Sequence, residues 1–517
     1  MTALRASWRA SPALWSALAL LTAAAASAPL YYFFIAQRWW LWELLGRPRR
    51  QLAFLVRYDW DDVALFGLLV GGLFALYGLA CWGAARRGPR WLDALSFLLA
   101  ALLGLALLPA YPLTSNDVFH YIMGGRIFWL HGGNPLVDTP IQYSWDPYLF
   151  YSDWVASPSP YGPAWILSLW LPQRLPQGDP ATVVLTYKGF VLALHLLTGL
   201  AVWLLAGRLA PQRQRLAATI YTWNPLLLFT VAVDGHNDVL MMLLAVLALY
   251  FALGQRWWLA FPAAVLSALS KYVTLLLLPL LLHYGWQRTA RGGRPGLLLG
   301  LALGVGAGVA AMAPFWQGLD TFRALAQDDR SWLFVSLSET LYFGLNDLLP
   351  RPEAITAARA VSSALFLGPY LLLLWQLKGE GEQLVRACYH ALLFYLLIAL
   401  GIFNPWYITW VMALAAPLAD RAALVGAAFT LLGFLGAHRG PTLLLNFQRH
   451  WGVGPGRPLM AAVLFLPVAA LWLALEGRRL WRGLRWAEKS LSPAEANRSV
   501  LRYFNVGGPF RWGRWRP

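Results

Sequence analysis

Asp117 is the residue of this sequence best suited to act as a base. It follows directly on an apolar run, so its carboxylate falls at the edge of hydrocarbon, where charge costs free energy unless hydrated or paired. An aspartate of ordinary pKa, about 3.9, is ionised at neutral pH and can accept a proton from a substrate hydroxyl. The competing reading is structural: Asn116 or Asp117 caps a helix over residues 118–129. Arg126 stands nine residues on, roughly two and a half helical turns, which suits fixing the loop or binding an anion better than pairing with Asp117. These residues belong to a polar stretch, residues 113–165. It also holds Asp138, Asp146, Asp153 and the rigid turns Asn134-Pro135 and Pro158-Ser-Pro-Tyr-Gly-Pro163. A polar loop this long between apolar runs is functional or disordered, and its Tyr and Trp content argues against disorder.

Other polar groups interrupt hydrocarbon further along. Trp223-Asn-Pro225 and Asp234-Gly-His-Asn-Asp238 bracket one apolar run. His236, Asn237 and Asp238 fall at a predicted helix start, where they either bind a sugar or phosphate or simply cap the helix. Lys271 lies in the middle of a long apolar run. A lysine there is a functional candidate by default, its rival being a side chain that snorkels at a short helix end. Asn404-Pro-Trp-Tyr407 opens another run, where Trp406 and Tyr407 are either substrate contacts or interface aromatics. No Gly-rich phosphate loop, HExxH helix or nucleophile elbow occurs. Nucleotide-sugar chemistry would need a soluble nucleotide fold, which is missing. A sugar donor carried on a lipid suits a site at the membrane surface instead.

These groups must be positioned by membrane helices. Only 13% of the 517 residues are charged and 59% are hydrophobic, against about 25% charged in soluble domains. The mean hydropathy of +0.52 and many apolar runs near 20 residues predict an all-α polytopic membrane protein. Roughly 11–14 transmembrane helices are expected, with a large catalytic loop over residues 113–181. Apolar runs fall near residues 12–36, 63–84, 91–111, 183–206, 216–233, 239–253, 257–282 (broken near Ser270-Lys271), 297–315, 354–377, 387–403, 406–418, 422–435 and 459–475. A short apolar piece at 163–171 reads as a half-helix. The first run reads as a signal anchor. Cys81 and Cys388 both sit inside apolar runs and read as packing residues.

The net charge of +17 does not imply nucleic acid, because the arginines cluster beside spans, as topology requires. Residues 1–476 form the membrane domain, and residues 477–517 a basic cytoplasmic tail that meets anionic lipid heads. With the N-terminus in the cytoplasm, the basic turns near residues 208–215, 288–294 and 378–386 fall inside. The polar segments at 113–165, 234–238 and 404–405 fall outside. Residues 37–62, rich in arginine yet placed outside, break this pattern.

Together these motifs resemble the integral-membrane glycosyltransferases of the C superfamily, most of all the polyprenyl-phosphomannose-dependent α-1,6-mannosyltransferases. Asn116-Asp-Val-Phe-His-Tyr121, Ser159-Pro-Tyr-Gly-Pro163, Gly235-His-Asn-Asp238 and Asn404-Pro-Trp-Tyr407 carry the resemblance, with Ser270-Lys-Tyr272 as a fifth stretch. It implies that Asp117 is the catalytic base of a single inverting displacement. His120, Tyr121, Arg126, Asn134, Tyr161, His236, Asn237, Asp238, Lys271, Trp406 and Tyr407 are the expected substrate-binding residues. Lys271, Arg126 and His236 are the candidates for stabilising the departing lipid phosphate. The expected reaction moves a sugar, mannose by the resemblance, from a polyprenyl phosphate to an extracytoplasmic glycan or lipid-linked acceptor. Some relatives use a divalent cation, but nothing in this sequence fixes a metal site. The alternatives are a lipid-linked sugar flippase or transporter, and a non-catalytic subunit of envelope-polysaccharide assembly.

Overall fold

The computed structural model describes residues 12–46, 60–175, 178–322, 333–436 and 443–477. The arginines at 47, 49, 50 and 57 and the basic tail from residue 478 lie outside these. The chain divides into one unit, Met1–Val468, and a short one, Ala469–Pro517.

An apolar run in hydrocarbon must satisfy its own backbone N–H and C=O groups, which a helix does. Among the described residues, six helices are long and apolar enough to cross a membrane: Pro12–Ala36, Val63–Ala84, Pro180–Leu209, Arg291–Phe315, Arg351–Gln376 and Val453–Gly477. The shortest has 22 residues, or about 33 Å of helix against a hydrocarbon core of about 30 Å. Trp91–Leu107, Asp238–Leu253, Trp257–Ala268 and Arg421–Gly436 are apolar but shorter. Among the described residues there is no strand, only isolated bridges such as Trp40–Ala110. The protein is therefore an all-α polytopic membrane protein.

Two expected spans are broken. Residues 216–233 form two helices, Gln214–Thr222 and Pro225–Ala232. Pro225 lacks an N–H and disfavours helix in the residue before it. The Asn224 side chain then caps the second helix by accepting from the N–H groups of Leu226 (3.1 Å) and Leu227 (3.3 Å). Residues 257–282 split at Ser270-Lys271 into helices Trp257–Ala268 and Leu277–Arg288, joined by a 3₁₀ turn at Tyr272–Leu276. The piece at 163–171 is likewise two short helices, Pro163–Ser168 and Trp170–Gln173.

Six elements carry the site. They are α1 (Trp91–Leu107), α2 (Asp117–Trp129), α3 (Pro180–Leu209), α4 (Asp238–Leu253), α5 (Trp257–Ala268) and α6 (Ile408–Ala415). Helix α4 packs on α3, α5 and α6, while α2 packs on α3. The polar loop is built into this bundle rather than draped over it. Val118, Ile122 and Trp165 are essentially fully buried, and emptying a Trp-sized site costs about 3–5 kcal/mol.

Buried polar anchors complete the loop. The Arg126 Nε donates to both oxygens of Asp146, at 3.0 and 2.8 Å, while the His131 ring lies 2.7 Å from the same carboxylate. Burial pushes the Asp146 carboxyl up, but His131, the Tyr148 N–H and Arg126 outweigh it and hold the group below its ordinary range. The Asn134 amide donates to the Phe315 carbonyl at 2.8 Å, fastening the loop to the end of the Arg291–Phe315 span. Gly162 and Ala164 donate backbone N–H groups to Ser270 (3.2 Å) and Leu269 (3.1 Å). A Cβ at Gly162 would collide with the Leu269 carbonyl, so glycine is what lets the loop touch the helix break.

Candidate active site

The Pro-Tyr-Gly-Pro turn docks on the break beside Lys271, and so delivers the Tyr161 hydroxyl to Asp117. That hydroxyl donates to Asp117 Oδ2 at 2.9 Å. Asp117 opens α2, but its side chain does not cap it, and Asn116 makes no capping bond either. The amide of Asn116 donates instead to Asp153 at 2.7 Å. The capping reading therefore fails for both residues. Burial raises the pKa of Asp117 above its ordinary range. Hydrogen bonds with Tyr161 and Ser115 and the charge of Lys271 oppose that rise, and Asp238 adds to it. The Asp117 side chain keeps about a fifth of its surface exposed (19%), so the group is largely desolvated yet reachable.

The turn before α4 supplies the second wall. Gly235 has φ +71°, a left-handed conformation that favours glycine. That turn points His236 back at Asp117, with Nδ1 3.8 Å from Oδ2. The His236 ring stacks on Trp406 with centroids 4.1 Å apart. Asn237 accepts from the Tyr121 hydroxyl at 3.2 Å. Tyr121 in turn meets Tyr161 edge-on at 4.9 Å and Trp165 at 5.2 Å. Neither Asn237 nor Asp238 caps α4 with a side-chain bond.

Asp238 is nearly fully buried and accepts from the Trp410 indole at 2.5 Å and from Lys271 Nζ at 2.7 Å. The Lys271 ammonium also faces the rings of Tyr407 (4.6 Å), Trp410 (5.3 Å) and Tyr161 (5.9 Å). Lys271 thus sits in an aromatic cage with one carboxylate, and it does not snorkel away from the protein. The Asn404-Pro-Trp-Tyr407 turn provides Trp406 and Tyr407, so both are site aromatics. One residue the sequence reading passed over also contributes: Trp410 lies one turn beyond Trp406 on α6, and only the fold brings it to Asp238.

Other expected site residues lie elsewhere in the same region. Arg126 and Asn134 carry the loop anchors described above. His120, one turn after Asp117, is buried, and its ring lies 6.2 Å from Tyr161. It lines a small recess with Gly124, Pro135, Asp138 and Ser159. Neither of its ring nitrogens has a hydrogen-bond partner among the described residues. Burial lowers its pKa to about 4, so the ring is neutral near pH 7.

The donors present do not suit a divalent ion. The Lys271 ammonium already lies against Asp238, and among the described residues no three His, Cys, Asp or Glu gather as a metal set.

The family model described as Alpha-(1->6)-mannopyranosyltransferase, N-terminal domain, matches residues 45–286. Over that segment the chain is similar to these mannosyltransferases. The matched segment contains Asp117, Tyr161, His236, Asp238 and Lys271, and ends before Trp406 and Tyr407. No curated protein matches the chain.

Proposed function

We propose that the protein transfers mannose from a polyprenyl-phosphate donor to an acceptor hydroxyl on the extracytoplasmic side of the membrane. Asp117 is the base. It removes the proton from the acceptor hydroxyl, whose oxygen attacks the anomeric carbon. The bond from that carbon to the phosphate oxygen breaks in the same displacement, with inversion, and the lipid phosphate leaves. The observation that carries this reading is a desolvated carboxylate held by Tyr161 opposite a caged ammonium. Burial keeps Asp117 basic enough to take a proton, while Tyr161 and Lys271 keep it ionised. Lys271 supplies a point charge for the phosphate, and a preorganised cation in a partly dry site stabilises a developing anion better than water does. His236 and Trp406 form a flat wall suited to a sugar face, and Tyr121 and Asn237 add hydroxyl and amide groups.

The topology that puts this site outside rests on the distribution of arginines. Helices broken at polar residues, like the one at Lys271, also occur in transporters, so a lipid-linked sugar flippase is the second reading. One experiment separates them. Purified protein in vesicles is given polyprenyl-phosphate mannose, the glucose analogue or GDP-mannose, with a mannoside acceptor. Formation of a mannoside of inverted anomeric configuration, from the lipid donor alone, is the expected result. Use of GDP-mannose refutes the donor. Movement of the lipid sugar across the bilayer without a new glycosidic bond favours the flippase, and neither outcome favours an assembly subunit.

A further inference from the structure

Asp234 takes no part in the chemistry above, yet it is fully buried in the turn before α4 (0% exposed). Its Oδ1 accepts from the backbone N–H groups of Leu113 (2.7 Å) and Thr114 (3.0 Å), and its Oδ2 from the Thr114 hydroxyl. The same segment is held from the other side. Lys188, fully buried within α3, donates to the carbonyls of Leu108 (2.7 Å) and Ala110 (2.5 Å). Residues 108–114 therefore run between a buried lysine and a buried aspartate from two different elements. Asp117 follows three residues after Thr114, and His236 two residues after Asp234.

We propose that Asp234, braced by Lys188, is a positioning residue that registers Asp117 against His236. The proposal rests on the reading of Asp117 as the base. Buried backbone N–H groups need acceptors, so a neutral loop would satisfy the fold with backbone carbonyls alone. A carboxylate that gathers two consecutive N–H groups and a hydroxyl instead locks the chain direction just ahead of Asp117. Misplacing a catalytic group by about 1 Å costs on the order of 10²-fold in rate.

The test uses the purified full-length chain with Asp234→Ala, Asp234→Asn, Thr114→Val and Lys188→Met. Amide hydrogen exchange of the peptide over residues 111–121 is measured together with the pH dependence of transfer. Asp234→Ala should speed exchange of that peptide, lower kcat by about 10- to 100-fold with donor KM little changed, and move the acidic limb of the profile toward the ordinary carboxylate range. Asp234→Asn keeps an oxygen for the two N–H groups and should rescue part of both effects. Thr114→Val and Lys188→Met should show smaller changes of the same kind, and they keep the test open if the alanine variant fails to fold. Unchanged exchange over 111–121 overturns the clamp, and so does faster exchange with unchanged kcat and an unmoved acidic limb. Retained turnover in Asp117→Asn overturns the base and not the clamp, which the exchange measurement reads by itself.

Discussion

Replacing Lys271 by methionine removes two things at once, and the structure allows them to be separated. The ammonium lies 2.7 Å from Asp238 Oδ1, and the side chains of the pair are 18% and 2% exposed. Breaking such a buried pair from one side leaves an uncompensated carboxylate, at a cost of about 3–5 kcal/mol in stability. Losing a preorganised cation from a transition state costs about 2.7–4 kcal/mol, or 10²- to 10³-fold in kcat. Lys271→Met alone should therefore be both unstable and slow. In Lys271→Met combined with Asp238→Asn the buried charge is gone, and the amide oxygen still accepts the Trp410 indole N–H. Thermal unfolding of the purified double variant should return most of the way to wild type. Turnover, measured as radiolabelled mannose transfer under saturating donor, should not. Asp238→Asn alone keeps the cation, so its kcat should exceed that of the double variant by about 10²-fold, and Lys271→Arg should fall between methionine and wild type. If the double variant turns over as fast as Asp238→Asn, Lys271 serves only to neutralise Asp238 and its phosphate role is wrong.

Asp117→Asn is near-isosteric and removes a buried charge, so it should fold normally and lose about 10²- to 10⁴-fold in kcat, while a loss of only a few-fold would exclude Asp117 as the base. The pH profile reports the same group. Asp117 works ionised, and burial raises its pKa, so activity should fall as pH drops through a value above the ordinary carboxylate range. Tyr161→Phe removes a hydrogen bond that favours the ionised form, so its acidic limb should move to higher pH; a limb that stays in place would detach it from Asp117. Topology is tested in a chain with Cys81 and Cys388 replaced by alanine. Single Ser144→Cys and Asn346→Cys variants should react with an impermeant thiol reagent added outside, and Gln212→Cys and Gln287→Cys should not. All four positions are exposed, so the reverse pattern would invert the orientation of the site.

Hydrocarbon admits few backbone solutions, and for that reason the all-α membrane class was legible from apolar run length alone. The break near Ser270-Lys271 was legible too, because a lysine in hydrocarbon needs a polar way out, whereas residues 216–233 read as one run although Pro225 divides them. Asp117, His236, Trp406 and Tyr407 stood out as polar or aromatic groups at the ends of apolar runs, and Lys271 as a charge in the middle of one. The same logic could not rank them. Arg126 and Asn134 have the same composition of signals as the site residues, and only tertiary contacts with Asp146 and Phe315 assign them to holding the loop. Nor could spacing along the chain show that Lys271 meets Asp238, 33 residues away, or that Trp410 reaches it from 172 residues away. Asp234 and Lys188 left no usable trace, one read as part of a turn and the other hidden in a 30-residue helix. Local pattern determines which segments become helices, because that balance is settled within a few turns of chain. Which charge neutralises which is settled by packing between segments far apart in sequence, and that is where this site is made.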